Sequence, residues 1–178
     1  DPTNTLTMYL ATGDGDAGDT RSIGVLKSTN GGSTWASTGL TNAVTNYFLI
    51  RRIIINPSNP QILLAATNSG IYRTTNGGAS WTQITTSSTY DLEFKPGNPN
   101  VVYAGGSTLS RSTNGGASWT QISNGIPTTG VNRMAIAVTA ADTNYVYVLA
   151  SNSSNSGLQG FYKSVNGGTS FTSSTSTL

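Results

Sequence analysis

Ser112-Thr113-Asn114-Gly115-Gly116-Ala117-Ser118-Trp119 decides the fold, because the chain spells nearly the same eight residues three more times: Ser28 to Trp35, Thr74 to Trp81 and Ser164 to Phe171. A repeat at regular spacing outranks any local signal and must be read before it. Each copy sets Asn-Gly-Gly between two short apolar runs. Asn-Gly is the strongest short hairpin signal, since both residues tolerate the positive φ of a tight turn. The Asn side chain also accepts backbone N–H groups of its own turn. The closing aromatic (Trp35, Trp81, Trp119 or Phe171) opens the outgoing strand and is expected to plug the core.

Working outward, each box is preceded by two strand-like runs and a turn. Asp1-Pro2-Thr3-Asn4 matches the turns at Asn56-Pro57-Ser58-Asn59, Lys95-Pro96-Gly97-Asn98 and Ala141-Asp142-Thr143-Asn144. In the three later copies an apolar strand comes before that turn: Arg51 to Ile55, Tyr90 to Phe94 and Val131 to Val138. The chain opens at the turn itself, so its first repeat lacks an innermost strand. Second strands are predicted at Leu6 to Thr12, Ile62 to Thr67, Val101 to Gly105 and Tyr145 to Ala150. Third strands are predicted at Ile23 to Ser28, Gly70 to Thr74, Thr108 to Ser112 and Gly160 to Ser164, and the fourth begins at each box aromatic. Four antiparallel strands per repeat is a β-propeller blade. The asparagines lie 46, 38 and 52 residues apart, which allows one blade each. The expected fold is therefore all-β, a single propeller segment with blades over about 1–40 (lacking the innermost strand), 41–86, 87–124 and 125–178. Open blades leave apolar faces and unpaired strands in water. A larger propeller of seven to ten blades is expected, completed by the same precursor or by neighbouring chains.

The box S/T-x-N-G-G-x-S/T-W resembles the Asp-box, or bacterial neuraminidase repeat, of sialidases, sortilin-type receptors and family-74 xyloglucanases. This chain has Asn30, Asn76, Asn114 and Asn166 where that family usually has Asp. An amide keeps the acceptor oxygen and loses the cation-binding charge. Gly13-Asp14-Gly15-Asp16-Ala17-Gly18-Asp19-Thr20, Asp91-Leu92-Glu93-Phe94 and Gly160-Phe161-Tyr162-Lys163-Ser164 are similar to stretches of large bacterial proteins exported by the type IX secretion system. That resemblance implies an extracellular or cell-surface location, and more about location than chemistry.

Composition narrows the chemistry. Only 9% of the 178 residues are charged, against roughly 25% in ordinary soluble proteins. Cysteine and histidine are both absent, which excludes disulfides, thiolate nucleophiles, imidazole bases and zinc sites of the usual kind. The net charge of +2 does not describe a nucleic-acid surface. Lys27, Arg73, Arg111 and Lys163 each stand one residue before a box and belong to the repeat, and no basic-aromatic groove is spelled out. No run approaches the ~20 apolar residues of a membrane helix, so neither nucleic acid nor membrane insertion is expected.

Three sets of side chains are candidates for function. Asp91 and Glu93 alternate with Leu92 and Phe94, which puts both carboxylates on one face of a first strand. They read as a catalytic or sugar-binding acid pair, since glycoside hydrolysis takes two carboxylates roughly 5 to 10 Å apart, or as part of a salt-bridged ring. Arg51, Arg52 and Arg133 hold corresponding strands, and with Tyr47 and Tyr90 they are the ligand-binding candidates, with a polysaccharide or glycan as the ligand class. Asp14, Asp16 and Asp19 present oxygens at Ca²⁺-like spacing, yet the EF-type pattern fails for want of a following bidentate Glu. No other cofactor is indicated. The expected function is a secreted or surface non-catalytic module for binding, adhesion or assembly. The alternative is part of an extracellular xyloglucanase-type hydrolase.

Overall fold

The computed structural model describes residues 1–16 and 19–174. Over them the chain forms four antiparallel sheets and one short 3-10 turn at Val44–Asn46. The first sheet has three strands: β1 (Met8–Ala11), β2 (Gly24–Ser28) and β3 (Ala36–Thr41). The second holds β4 (Ile50–Ile55), β5 (Leu63–Thr67), β6 (Gly70–Thr74) and β7 (Thr82–Gln83). The third holds β8 (Thr89–Phe94), β9 (Val102–Gly106), β10 (Leu109–Ser112) and β11 (Thr120–Ile122). The fourth holds β12 (Val131–Val138), β13 (Val146–Asn152), β14 (Leu158–Ser164) and β15 (Thr172–Ser173). Every sheet is a meander in chain order, the arrangement of a propeller blade. The first sheet shows three strands among the described residues. Two compact units result, residues 1–88 and 89–178, each carrying two sheets.

The box hairpin joins the last two strands of each sheet, and the asparagine organises it identically four times. In the third sheet the Ser112 hydroxyl donates to Asn114 Oδ1 at 2.9 Å, and the Ser118 amide donates to the same oxygen at 2.9 Å. The Asn114 amide nitrogen donates to Ser118 Oγ at 2.8 Å, and the Gly116 amide donates to Ser112 Oγ at 2.9 Å. Asn30, Asn76 and Asn166 repeat the set. Asparagine thus spends both acceptor and donor, and the donor half is one that aspartate lacks.

One local expectation is corrected. The positive φ values fall on the glycine pair, for example 65° at Gly115 and 81° at Gly116, and not on the asparagine. The turn therefore places two glycines at its centre, where a Cβ would be penalised, and uses Asn as its side-chain scaffold. The N–H of the first glycine reaches back to the turn before the second strand: Gly31 to Leu6 O, Gly77 to Gln61 O, Gly115 to Asn100 O and Gly167 to Asn144 O, at 2.8–2.9 Å. Two hairpin ends of one sheet are tied together by that bond.

Within each unit the two sheets are joined by a tyrosine from a second strand. In the first unit Tyr9 Oη donates to Gly77 O at 2.9 Å. In the second, Tyr103 Oη donates to Gly167 O at 3.0 Å. Around these bonds lie the apolar clusters. Val25, Leu40, Phe48, Ile50 and Ala65 form that of the first unit. The second is anchored by Tyr103, Leu109, Met134, Val148 and Phe171. At Gly105 an added Cβ would fall 2.3 Å from Met134 O, so β9 can approach β12 only as glycine.

The box aromatics depart from the expectation of uniform core plugs. Phe171 is 4% exposed, whereas Trp35 is 38% exposed; Trp81 and Trp119 lie between. Trp35 folds over its own turn, its indole N–H donating to Gly32 O at 3.0 Å, and Trp119 does the same to Gly116 O at 3.2 Å. Two of the box tryptophans thus cap their own hairpins, while Phe171 is buried in the apolar cluster of the second unit.

Candidate functional site

Polar side chains of the first strands are the first place to look, because each of those strands carries a β-bulge near its start. The pairing slips between Ile50 and Arg52, between Thr89 and Asp91, and between Val131 and Arg133. Arg51, Tyr90 and Asn132 are therefore the extra residues at matching positions, and Arg52, Asp91 and Arg133 follow them. A bulge re-aims a side chain and is common beside functional sites. Neither the bulges nor their equivalence is visible in the alternation of the sequence.

Asp91 and Glu93 do lie two apart beyond the bulge, opposite Gly105 and Tyr103. Asp91, however, is 7% exposed. Its Oδ2 accepts the Ile136 amide at 2.7 Å and its Oδ1 accepts its neighbour's amide, Leu92 N, at 3.0 Å. Ile136 belongs to β12, the strand at the edge of its sheet, whose outward amides need acceptors. The carboxylate thus staples the third sheet to the fourth. Glu93 is half-buried on the same strand.

The arginine and tyrosine candidates separate into two pairs. Arg133 places its guanidinium 5.4 Å from the Tyr90 ring centre. Tyr47 is 62% exposed and carries the Arg21 guanidinium 4.0 Å over its ring. Arg21 was missed from the sequence, since nothing in the spacing of Arg21 and Tyr47 pairs them. Tyr47 is held in the left-handed region at φ 54°, with its carbonyl accepting from the Asn68 amide at 2.8 Å. Arg51 Nη1 donates to Ser88 Oγ at 3.0 Å, and Arg52 is exposed. Stacked Arg–Tyr platforms present flat apolar rings with charged rims, a surface suited to sugar rings and their hydroxyls.

The aspartates of the β1–β2 loop do not converge. Asp14 Oδ1 accepts the Asp16 amide at 2.8 Å, Asp19 Oδ1 accepts the Thr20 hydroxyl at 3.4 Å, and the Asp14 amide donates to Thr20 O at 2.9 Å. Among the described residues no three acidic, Cys or His side chains come together as a metal site would require. The loop is closed by turn-type bonds of its own. Ala17 and Gly18 lie outside the described residues.

Two of the grooves lie near the candidate side chains. One, of about 310 Å³, runs between the box hairpins of the first unit and is lined by Lys27, Trp35, Thr38 and Asn76 to Ala79. The other, of about 340 Å³, lies on the fourth sheet beside Arg133, Leu149 and Leu158. Neither collects an acid pair. Among the described residues no helix is long and apolar enough to cross a membrane.

No family model and no curated protein matches this chain. Solved structures do. An ancestral GH74 enzyme superposes with a TM-score of 0.76 at 26% identity, over 97% of this chain and 23% of that one. The GH74 enzyme of Niastella koreensis gives 0.60 at 18% identity, over 97% of this chain and 37% of that one. YCF48 from Cyanidioschyzon merolae gives 0.53 at 16% identity, over 98% of this chain and 58% of that one. This chain spans less than a quarter of the length of the ancestral GH74 enzyme. Its meandering antiparallel sheets and these neighbours together make it a β-propeller chain.

Proposed function

We propose that this chain supplies blades to a larger propeller of seven to ten blades, acting as a non-catalytic module for glycan or protein binding, adhesion or assembly. The observation that carries this reading is the fate of the acids. Asp91, the carboxylate best placed for chemistry, is buried on two backbone amides, and a buried carboxylate so engaged is a structural acceptor. Exposed platforms such as Tyr47 with Arg21 remain for ligand contact. The stretches resembling type IX secretion cargo support an exported, surface-attached bacterial protein whose remaining blades come from the same precursor or a neighbouring chain.

A second reading has its own support. The GH74 neighbours favour a contribution to a xyloglucanase-type hydrolase, in which these blades would hold part of a polysaccharide groove. A glycan array combined with a reducing-sugar assay on xyloglucan separates the two. Binding without turnover, weakened by Tyr47→Ala, is the expected result. Turnover abolished by Glu93→Gln would overturn the non-catalytic reading.

A further inference from the structure

We propose that the groove between the box hairpins of the first unit binds an acidic sugar, with the sugar ring on Trp35 and its carboxylate on Lys27. This rests on the reading that the chain is a binding module, and it adds a site that shares no residue with the Tyr47–Arg21 platform.

Both walls of the groove belong to the first unit. Lys27, Trp35, Ser37 and Thr38 come from the first sheet and its hairpin, and Asn76 to Ala79 from the hairpin of the second. The Trp35 indole N–H is already donated to Gly32 O at 3.0 Å, so ring carbons are what this tryptophan offers a ligand. A pyranose has a C–H face for such a ring and a rim of hydroxyls for polar neighbours. The hydroxyls of Thr29, Ser37 and Thr38 line the same groove. Its volume, about 310 Å³, stands at the lower end of ligand pockets and suits a mono- or disaccharide.

Charge selects the kind of sugar. Lys27 Nζ donates to Gly77 O at 3.1 Å and lies 5.2 Å from the Tyr9 ring. Neither a carbonyl nor a ring neutralises an ammonium, which has three N–H donors to place. Among the described residues no carboxylate lines the groove. A ligand carboxylate would supply the opposite charge through a charge-assisted hydrogen bond. The second unit shows what closes the equivalent groove. There Arg111 and Thr169 stand where the first unit has Lys27 and Ala79, and Arg111 Nη1 donates across the gap to Thr169 Oγ1 at 3.4 Å. Ile122 also takes the place of Thr38. The cavity that remains, about 230 Å³, is lined by the third sheet and its hairpin alone. Ala79 has no side chain to bridge with, so the groove of the first unit stays open.

Isothermal titration of the full 178-residue chain with digalacturonate tests it. Binding is expected at millimolar ligand or below, at least about tenfold tighter than for galactobiose, the neutral counterpart, and at least about tenfold weaker in Lys27→Met. The double variant Lys27→Arg with Ala79→Thr keeps the positive charge and installs the pair that closes the second unit, so it is expected to lose binding as well. Circular dichroism checks that the sheets persist in both. No binding by the native chain, equal affinity for citrate, or a double variant that binds like the native chain overturns the proposal. Loss of binding in Tyr47→Ala with Lys27→Met unaffected also overturns it, and leaves the glycan-binding role standing. Digalacturonate held through Lys27 by a chain that also turns over xyloglucan supports the groove and removes the non-catalytic reading.

Discussion

The two units solve one packing problem with unequal means. In each, a tyrosine hydroxyl meets a box-glycine carbonyl, but Tyr103 is fully buried while Tyr9 is half-buried and shares Gly77 O with Lys27. The second unit also has the Asp91–Ile136 staple. Among the described residues the first unit shows no counterpart, and its leading sheet shows three strands. The joint is therefore a polar latch common to both, and its strength depends on how completely the flanking strands exclude water. A hydrogen bond sealed from solvent and surrounded by packed side chains is costly to break, whereas one at the surface exchanges with water.

The widest gap between the units is expected at the latch itself. Tyr103→Ala should cost about 3–5 kcal/mol in urea denaturation, and Tyr9→Ala clearly less; equal losses would mean that the burial difference is energetically idle. Next comes the staple: Asp91→Ala strands the buried Ile136 amide and should cost about 1–3 kcal/mol, with hydrogen exchange rising in β12. Unchanged exchange there would detach the carboxylate from its assigned role.

Smaller effects test the hairpins. Asn114→Ala should cost about 1–2 kcal/mol, as loss of a capping-type side chain does. Asn114→Asp should cost a fraction of that, because the Ser118 hydroxyl can turn to donate to the carboxylate. The same pair at Asn30, on the exposed hairpin, should show a narrower difference. A pH effect is the smallest. Burial pushes the Tyr103 hydroxyl above its ordinary 10.0, partly offset by Arg111. The folded state thus prefers the protonated phenol, and its contribution is complete below pH 10 and is lost as the pH rises through the raised value. Tyr103→Phe should flatten that alkaline limb.

The reading of the candidate site fell short where neighbours intervene. Alternation correctly placed Asp91 and Glu93 two apart on one strand. It did not reveal that Asp91 faces another sheet's edge amide, that Arg51 and Tyr90 occupy bulges, or that Arg21 stacks on Tyr47. These depend on pairing shifts and on residues distant in the chain. The tyrosine latch had a faint signal, since Tyr9, Tyr103 and Tyr147 recur at one place in the repeat, but its acceptor is a backbone carbonyl that no side-chain pattern reports.

By itself the sequence determined four hairpins, their glycine turns and the meander of each sheet. Turn chemistry and strand alternation act over a few residues and need no neighbour. Only the tertiary structure decided that Phe171 is buried and Trp35 exposed, that a carboxylate serves a strand edge, and which tyrosines latch. Burial and long-range hydrogen bonding are properties of the surface presented by the next sheet, and identical boxes meet different surfaces.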